Sequence, residues 1–182
     1  MARRARVVAV AIGIGMAVTA TGSVATAGSD SSGTSPNMLR EQLTGYEEDP
    51  LPISTNGTGR FQAKIDDRLQ QITYQLSYTS LEGTVQQAHI HFGGKAQSGG
   101  ISVFLCTNLG NGPVGTQLCP AAPATVTGTI KAADVIGPAN QSLTAGQYND
   151  FVKAIRNGTT YVNVHSSSFP GGEIRAQLGH HH

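Results

Sequence analysis

The chain carries little excess charge of either sign, only one pair of cysteines, and no second apolar stretch long enough to cross a membrane. Each shortage excludes something. Twelve basic residues face eleven acidic ones, and three of the basic ones (Arg3, Arg4, Arg6) lie at the extreme N-terminus. The remainder is slightly acidic, which argues against nucleic acid or an anionic membrane surface as a partner. Internal repeats at solenoid periods are absent. So are a Ser-His-Asp order, a nucleophile elbow and a phosphate-binding loop, and the expectation is a protein that is not an enzyme.

What is present begins with an export pattern. Arg3, Arg4 and Arg6 precede an uncharged run of about a dozen residues, Val7 to Val18, too short to span a bilayer comfortably. Ala25-Thr26-Ala27 supplies an A-x-A site, so residues 1–27 read as a signal peptide cleaved after Ala27, and an uncleaved anchor is the alternative. The mature chain is expected to be secreted, periplasmic or held in the cell envelope. Residues 28–37 are Ser/Gly-rich and read as a flexible linker. Cys106 and Cys119 flank a Gly/Asn/Pro-rich loop. In an oxidising compartment a disulfide is the default, with a thiolate metal pair as the rival.

From Met38 the chain alternates short strand-like runs with turn signals. Gly59–Ile65, Gln71–Tyr78, Val85–Phe92, Ile101–Cys106, Ala124–Ile130, Tyr161–His165 and Glu173–Leu178 are the candidate strands. Pro170-Gly171-Gly172 predicts a hairpin turn between the last two. One helix interrupts them: Thr144 and Gln147 form a capping-box pattern, and Tyr148, Phe151, Val152 and Ile155 follow at helical spacing up to Gly158. The pattern predicts an antiparallel β-sandwich with one short α-helix. Asn56, Asn140 and Asn157 each open an Asn-x-Ser/Thr triplet, which matters only in a source that glycosylates.

Three histidines carry the chemistry. His89 and His91 alternate in Ala88-His89-Ile90-His91, and His165 closes Tyr161-Val162-Asn163-Val164-His165. Side chains on a strand alternate between faces. All three imidazoles therefore lie opposite the aliphatic residues Ile90, Val162 and Val164. A His-x-His pair with a third histidine from another strand makes a set suited to Zn²⁺ or Cu²⁺, and the affinity order favours copper. A polar cluster bonded to backbone groups or to the hydroxyls of Ser166–Ser168 is the competing expectation. If the hairpin forms, Glu173, Arg175 and Gln177 share the face of His165. Glu173 is then the candidate to orient an imidazole or to act as a fourth ligand, and an exposed Glu173–Arg175 ion pair is the alternative. Glu47-Glu48-Asp49 reads as a solvated acidic loop. His180-His181-His182 reads either as a tag remnant or as a native tail.

The order of segments from Leu39 to Leu178 resembles the CHRD domain, the module named for its repeats in chordin. The resemblance rests on Leu43-Thr44-Gly45, Gly57-Thr58-Gly59, Leu76-Ser77-Tyr78 and Ala88-His89-Ile90-His91-Phe92-Gly93. Its longest part is residues 158–165 followed by Phe169-Pro170-Gly171-Gly172-Glu173-Ile174-Arg175-Ala176-Gln177-Leu178. The family pattern continues its His-x-His with Gly-Pro, whereas here Phe92-Gly93-Gly94-Lys95 follows. The resemblance implies a β-sandwich of Greek-key, superoxide-dismutase-like type working outside the cytoplasm, with no established reaction. In chordin the domain accompanies modules that bind growth factors, and another extracytoplasmic protein is the partner expected here. The His-x-His strand is similar over a few residues to the copper strand of Cu/Zn superoxide dismutases. Two functions stand as expectations: a metal-binding protein using His89, His91 and His165, or an interaction module whose histidines are structural.

Overall fold

A computed structural model describes residues 37–179. The expected signal peptide, the linker up to residue 36 and the terminal histidines lie outside the described residues. Asn37, assigned above to the linker, already belongs to the domain. Its carbonyl accepts from the Ile65 N–H at 2.8 Å and its side chain accepts from Arg156 at 2.8 Å.

Eight strands form one antiparallel sheet. They are β1 (Met38–Thr44), β2 (Thr58–Asp66), β3 (Gln71–Thr79), β4 (Val85–Phe92), β5 (Gly100–Thr107), β6 (Ala124–Ile130), β7 (Thr160–Ser166) and β8 (Ile174–Leu178). Their spatial order is β5-β4-β7-β8-β1-β2-β3-β6. The sheet curls until its two ends approach each other, giving a barrel-like sandwich. Strict alternation builds β2 and β3: Phe61, Ala63 and Ile65, and then Ile72, Tyr74, Leu76 and Tyr78, all turn inward. Asp66 closes the turn between them by accepting from the Leu69 N–H at 2.9 Å, as short acidic side chains do in turns. β7 departs from alternation. Every one of its residues is buried, because the core covers Val162 and Val164 on one face and loops cover the other.

The helix α1 spans Tyr148–Arg156 and buries Tyr148, Phe151, Val152 and Ile155 in the core. It starts later than the Thr144 pattern predicts. Gly146 sits at φ +84°, which stops a helical run there. The Gln147 side chain still accepts from the Thr144 N–H at 2.6 Å, so half of the box survives as a turn. Gly158, at φ +64°, ends the element as expected.

β5 and β6 leave a seam where the sheet ends meet. The Gln117 amide spans it, donating to the Leu105 carbonyl at 3.1 Å and to the Thr127 carbonyl at 3.1 Å. Gln117 lies on the loop closed by the Cys106–Cys119 disulfide, whose ends are 13 residues apart. On the loop-entropy model that bridge stabilises by about 3 kcal/mol. The Cys106→Ala/Cys119→Ala variant should lose that amount in urea unfolding. An unchanged midpoint would mean that the loop is ordered without the bridge.

Candidate metal centre

His89 and His91 project from β4, and His165 from β7, on the face away from the hydrophobic core. The register sets His89 opposite Asn163 and His91 opposite Tyr161. The imidazoles thus point as the alternation of side chains along a strand dictates. Their surroundings differ from an open surface: His89 is 0%, His91 8% and His165 6% exposed. Residues 93–99 and 167–172 each contribute a carbonyl to a ring, and Glu48 of the 45–49 segment bonds the neighbouring Asn163.

The hydrogen bonds fix the tautomers. A carbonyl only accepts, so His91 Nδ1–H donates to the Gly99 carbonyl at 2.9 Å and His165 Nδ1–H donates to the Pro170 carbonyl at 2.9 Å. His165 is held neutral, since burial lowers its pKa against the opposing pull of that carbonyl. Its Nε2 is therefore a lone pair, and His89 Nδ1–H donates to it at 3.2 Å. The lone pair of His89 then falls on Nε2, as does that of His91. Both of these atoms are buried without a hydrogen-bond partner. Burial pushes His89 down to about 2, helped by the neighbouring His165 and His91. It pushes His91 down to about 4, against the Gly99 bond and with some help from His165 and Arg175. His91 and His165 are neutral rings whose Nδ1–H groups are anchored on carbonyls, as metal-ligating histidines require, whereas the Nδ1–H of His89 points into the cluster at His165.

One ring nitrogen from each histidine lies within 4.8 Å of the other two. Metal–nitrogen bonds of 2.0–2.1 Å place two ligands of one tetrahedral ion about 3.4 Å apart. The 3.2 Å between His89 Nδ1 and His165 Nε2 is close to this value, but with Nδ1 protonated His89 gives up that hydrogen bond, by tautomer exchange or ring reorientation, before it can ligate an ion. The donor set fits copper or zinc.

Tyr161 and Arg175 buttress the cluster. His91 stacks on the Tyr161 ring at 4.7 Å with an interplanar angle of 2°. The Arg175 guanidinium stands 3.5 Å from the centre of the same ring. It donates to the Gly94 and Gln97 carbonyls, each at 3.0 Å, and so ties the 93–99 loop over the site. Phe104 meets His89 edge-on at 4.4 Å.

Two sequence expectations are corrected here. Glu173 neither orients His165 nor joins the nitrogen cluster. It is 0% exposed, and its Oε1 accepts from the Thr55 hydroxyl at 2.7 Å and from the Glu82 N–H at 2.8 Å. It precedes β8, just after Gly172 at φ +137°, so strand facing does not govern its direction. Pro170 holds the place expected of it. Arg175 forms no exposed ion pair with Glu173, because it is 2% exposed and engaged with the loop.

The acidic run is not simply solvated. Glu48 Oε1 accepts from Asn163 Nδ2 at 2.7 Å, and Asp49 accepts from the Ser98 hydroxyl at 2.7 Å. Burial raises Glu48 to about 8, although Arg175 and Asn163 pull the other way. Sequence reasoning missed Glu48. The only signal was a carboxylate followed by a Pro-rich turn, which equally fits a free loop. Cys106 and Cys119 form the expected disulfide, which removes the thiolate alternative.

The model of the CHRD domain family matches residues 39–178. No curated protein and no solved structure matches the chain. Among the described residues no helix is long and apolar enough to cross a membrane.

Proposed function

The chain belongs to the CHRD domain family, and from that premise we propose that it is an exported protein that binds a transition-metal ion, copper or zinc, through His89, His91 and His165. The observation that carries this reading is the pair of buried, unpartnered ring nitrogens, His89 Nε2 and His91 Nε2. Leaving buried acceptors unpaired costs about 1–3 kcal/mol each, and a bound cation would relieve that cost. Export is supported by the N-terminal pattern and by a disulfide inside the domain. The role is binding, not catalysis.

The test is a titration of the full chain with His180, His181 and His182 replaced by alanine. One equivalent of metal should bind with sub-micromolar affinity, which corresponds to more than about 8 kcal/mol. The His89→Ala/His91→Ala variant should lose that binding while keeping the β-rich circular dichroism spectrum. No uptake by the parent chain would sink the proposal.

A separate observation favours the interaction-module reading. A groove of 390 Å³ is lined by Pro50, Leu51, Ile53, Phe169 and Pro170. Leu51 beside it is 74% exposed. Such a surface is consistent with an extracytoplasmic protein partner, and it adjoins the carbonyl that holds His165.

A further inference from the structure

An ion placed among His89, His91 and His165 would meet three neutral donors and little to offset its charge. The three side chains are at most 8% exposed. Among the described residues no carboxylate joins the group. Glu173 accepts from Thr55 and Glu82 through Oε1, and its Oε2 is buried without a partner outside the nitrogen group; Asp49 accepts from Ser98. Glu48 faces Asn163 and is biased toward its neutral form by burial. The fixed charge beside the cluster has the same sign as a metal: the Arg175 guanidinium is 3.5 Å from the Tyr161 ring on which His91 stacks.

The cost of taking an ion out of water rises with the square of its charge, so a divalent ion pays about four times what a monovalent one does. Zinc offsets this with anionic ligands or with an ionised water in an open fourth position, and Cu²⁺ seeks a tetragonal set of nitrogen and oxygen donors. A closed cluster of three imidazoles offers neither. A monovalent d¹⁰ ion needs neither, because it is satisfied by two or three neutral nitrogen donors and has no call for a bound hydroxide.

We infer that the three-histidine cluster is selective for a monovalent d¹⁰ ion, Cu⁺ with Ag⁺ as its air-stable counterpart, over Zn²⁺ and Cu²⁺. The inference rests on the metal-binding reading above and names the ion class for the same site.

The experiment titrates Ag⁺, Zn²⁺ and Cu²⁺ separately into the full chain carrying alanine at His180, His181 and His182, in chloride-free buffer. Cu⁺ is tested under ascorbate, which spares the disulfide. Ag⁺ and Cu⁺ should bind at one equivalent and on the order of 100-fold more tightly than either divalent ion. X-ray absorption of the Cu⁺ form should show nitrogen ligands only and fewer than four of them, a readout that needs no variant to fold. Equal or tighter binding of Zn²⁺ or Cu²⁺, or a stoichiometric tetragonal Cu²⁺ signal by electron paramagnetic resonance, would overturn the selectivity while leaving the metal site standing. Failure of all four ions to bind would overturn the metal reading itself.

Discussion

Acidifying the EDTA-treated protein from pH 6.5 to pH 4 should cost on the order of 3 kcal/mol of folding free energy, at 1.36 kcal/mol per unit of pKa difference. The sign follows from burial. His89 and His91 stay neutral in the folded chain, at about 2 and about 4, while the unfolded chain protonates them near 6.5. Below pH 6.5 the unfolded state therefore binds more protons, and stability falls with pH. His165 acts in the same direction. Glu48 acts in the opposite one. Its folded value of about 8 lies above its ordinary 4.5, so its penalty grows as pH rises from 4.5 to 8, and acidification returns part of what the histidines lose. Stability should thus peak near pH 6.5 and decline on both sides. Urea unfolding across the pH range checks this, and Glu48→Gln should flatten the alkaline limb and steepen the acid one. A flat profile between pH 4 and pH 6.5 would show that the imidazoles charge at no cost, which is incompatible with their burial.

Replacing Arg175 by methionine should lower stability by about 4 kcal/mol, since bonds from charged donors contribute about 1.5–3 kcal/mol each and orphaned carbonyls add their own cost. The stem volume is kept, so the loss isolates the guanidinium. Two carbonyls, Gly94 and Gln97, lose their donor, and Tyr161 loses the cation over its ring. For a domain of this size the melting temperature should drop by roughly 10 °C. Lysine should not rescue it, because one ammonium cannot present the planar fork that reaches both carbonyls. Calorimetry measures the drop. A variant within about 1 kcal/mol of the parent would assign the loop's order to other contacts.

Legibility differed along the chain for physical reasons. β2 and β3 alternate strictly, so their sequence states their structure. β1 does not: Leu39 and Leu43 face inward with Glu41 between them, and one inward carboxylate hides the period. The histidine face was readable because alternation is local. Its burial was not, because the 45–49 segment comes from a distant part of the chain and the loops after β4 and β7 fold back over the rings, and periodicity carries no information on where loops fold back. Glu48 and Glu173 show the two sides of this limit. Glu48 looked solvated and is half-buried against Asn163. Glu173 looked like a partner of His165 and serves Thr55 and Glu82 instead, because it stands outside the strand whose facing was extrapolated to it.

The seam between β5 and β6 has a bearing on how the protein survives at high concentration. Strand edges with unpaired N–H and C=O groups recruit one another between molecules and seed aggregation. Here both edges belong to strands consecutive in the chain, and a disulfide-tethered glutamine lies across them. Each edge faces the other, so neither offers a neighbouring molecule a template for growth.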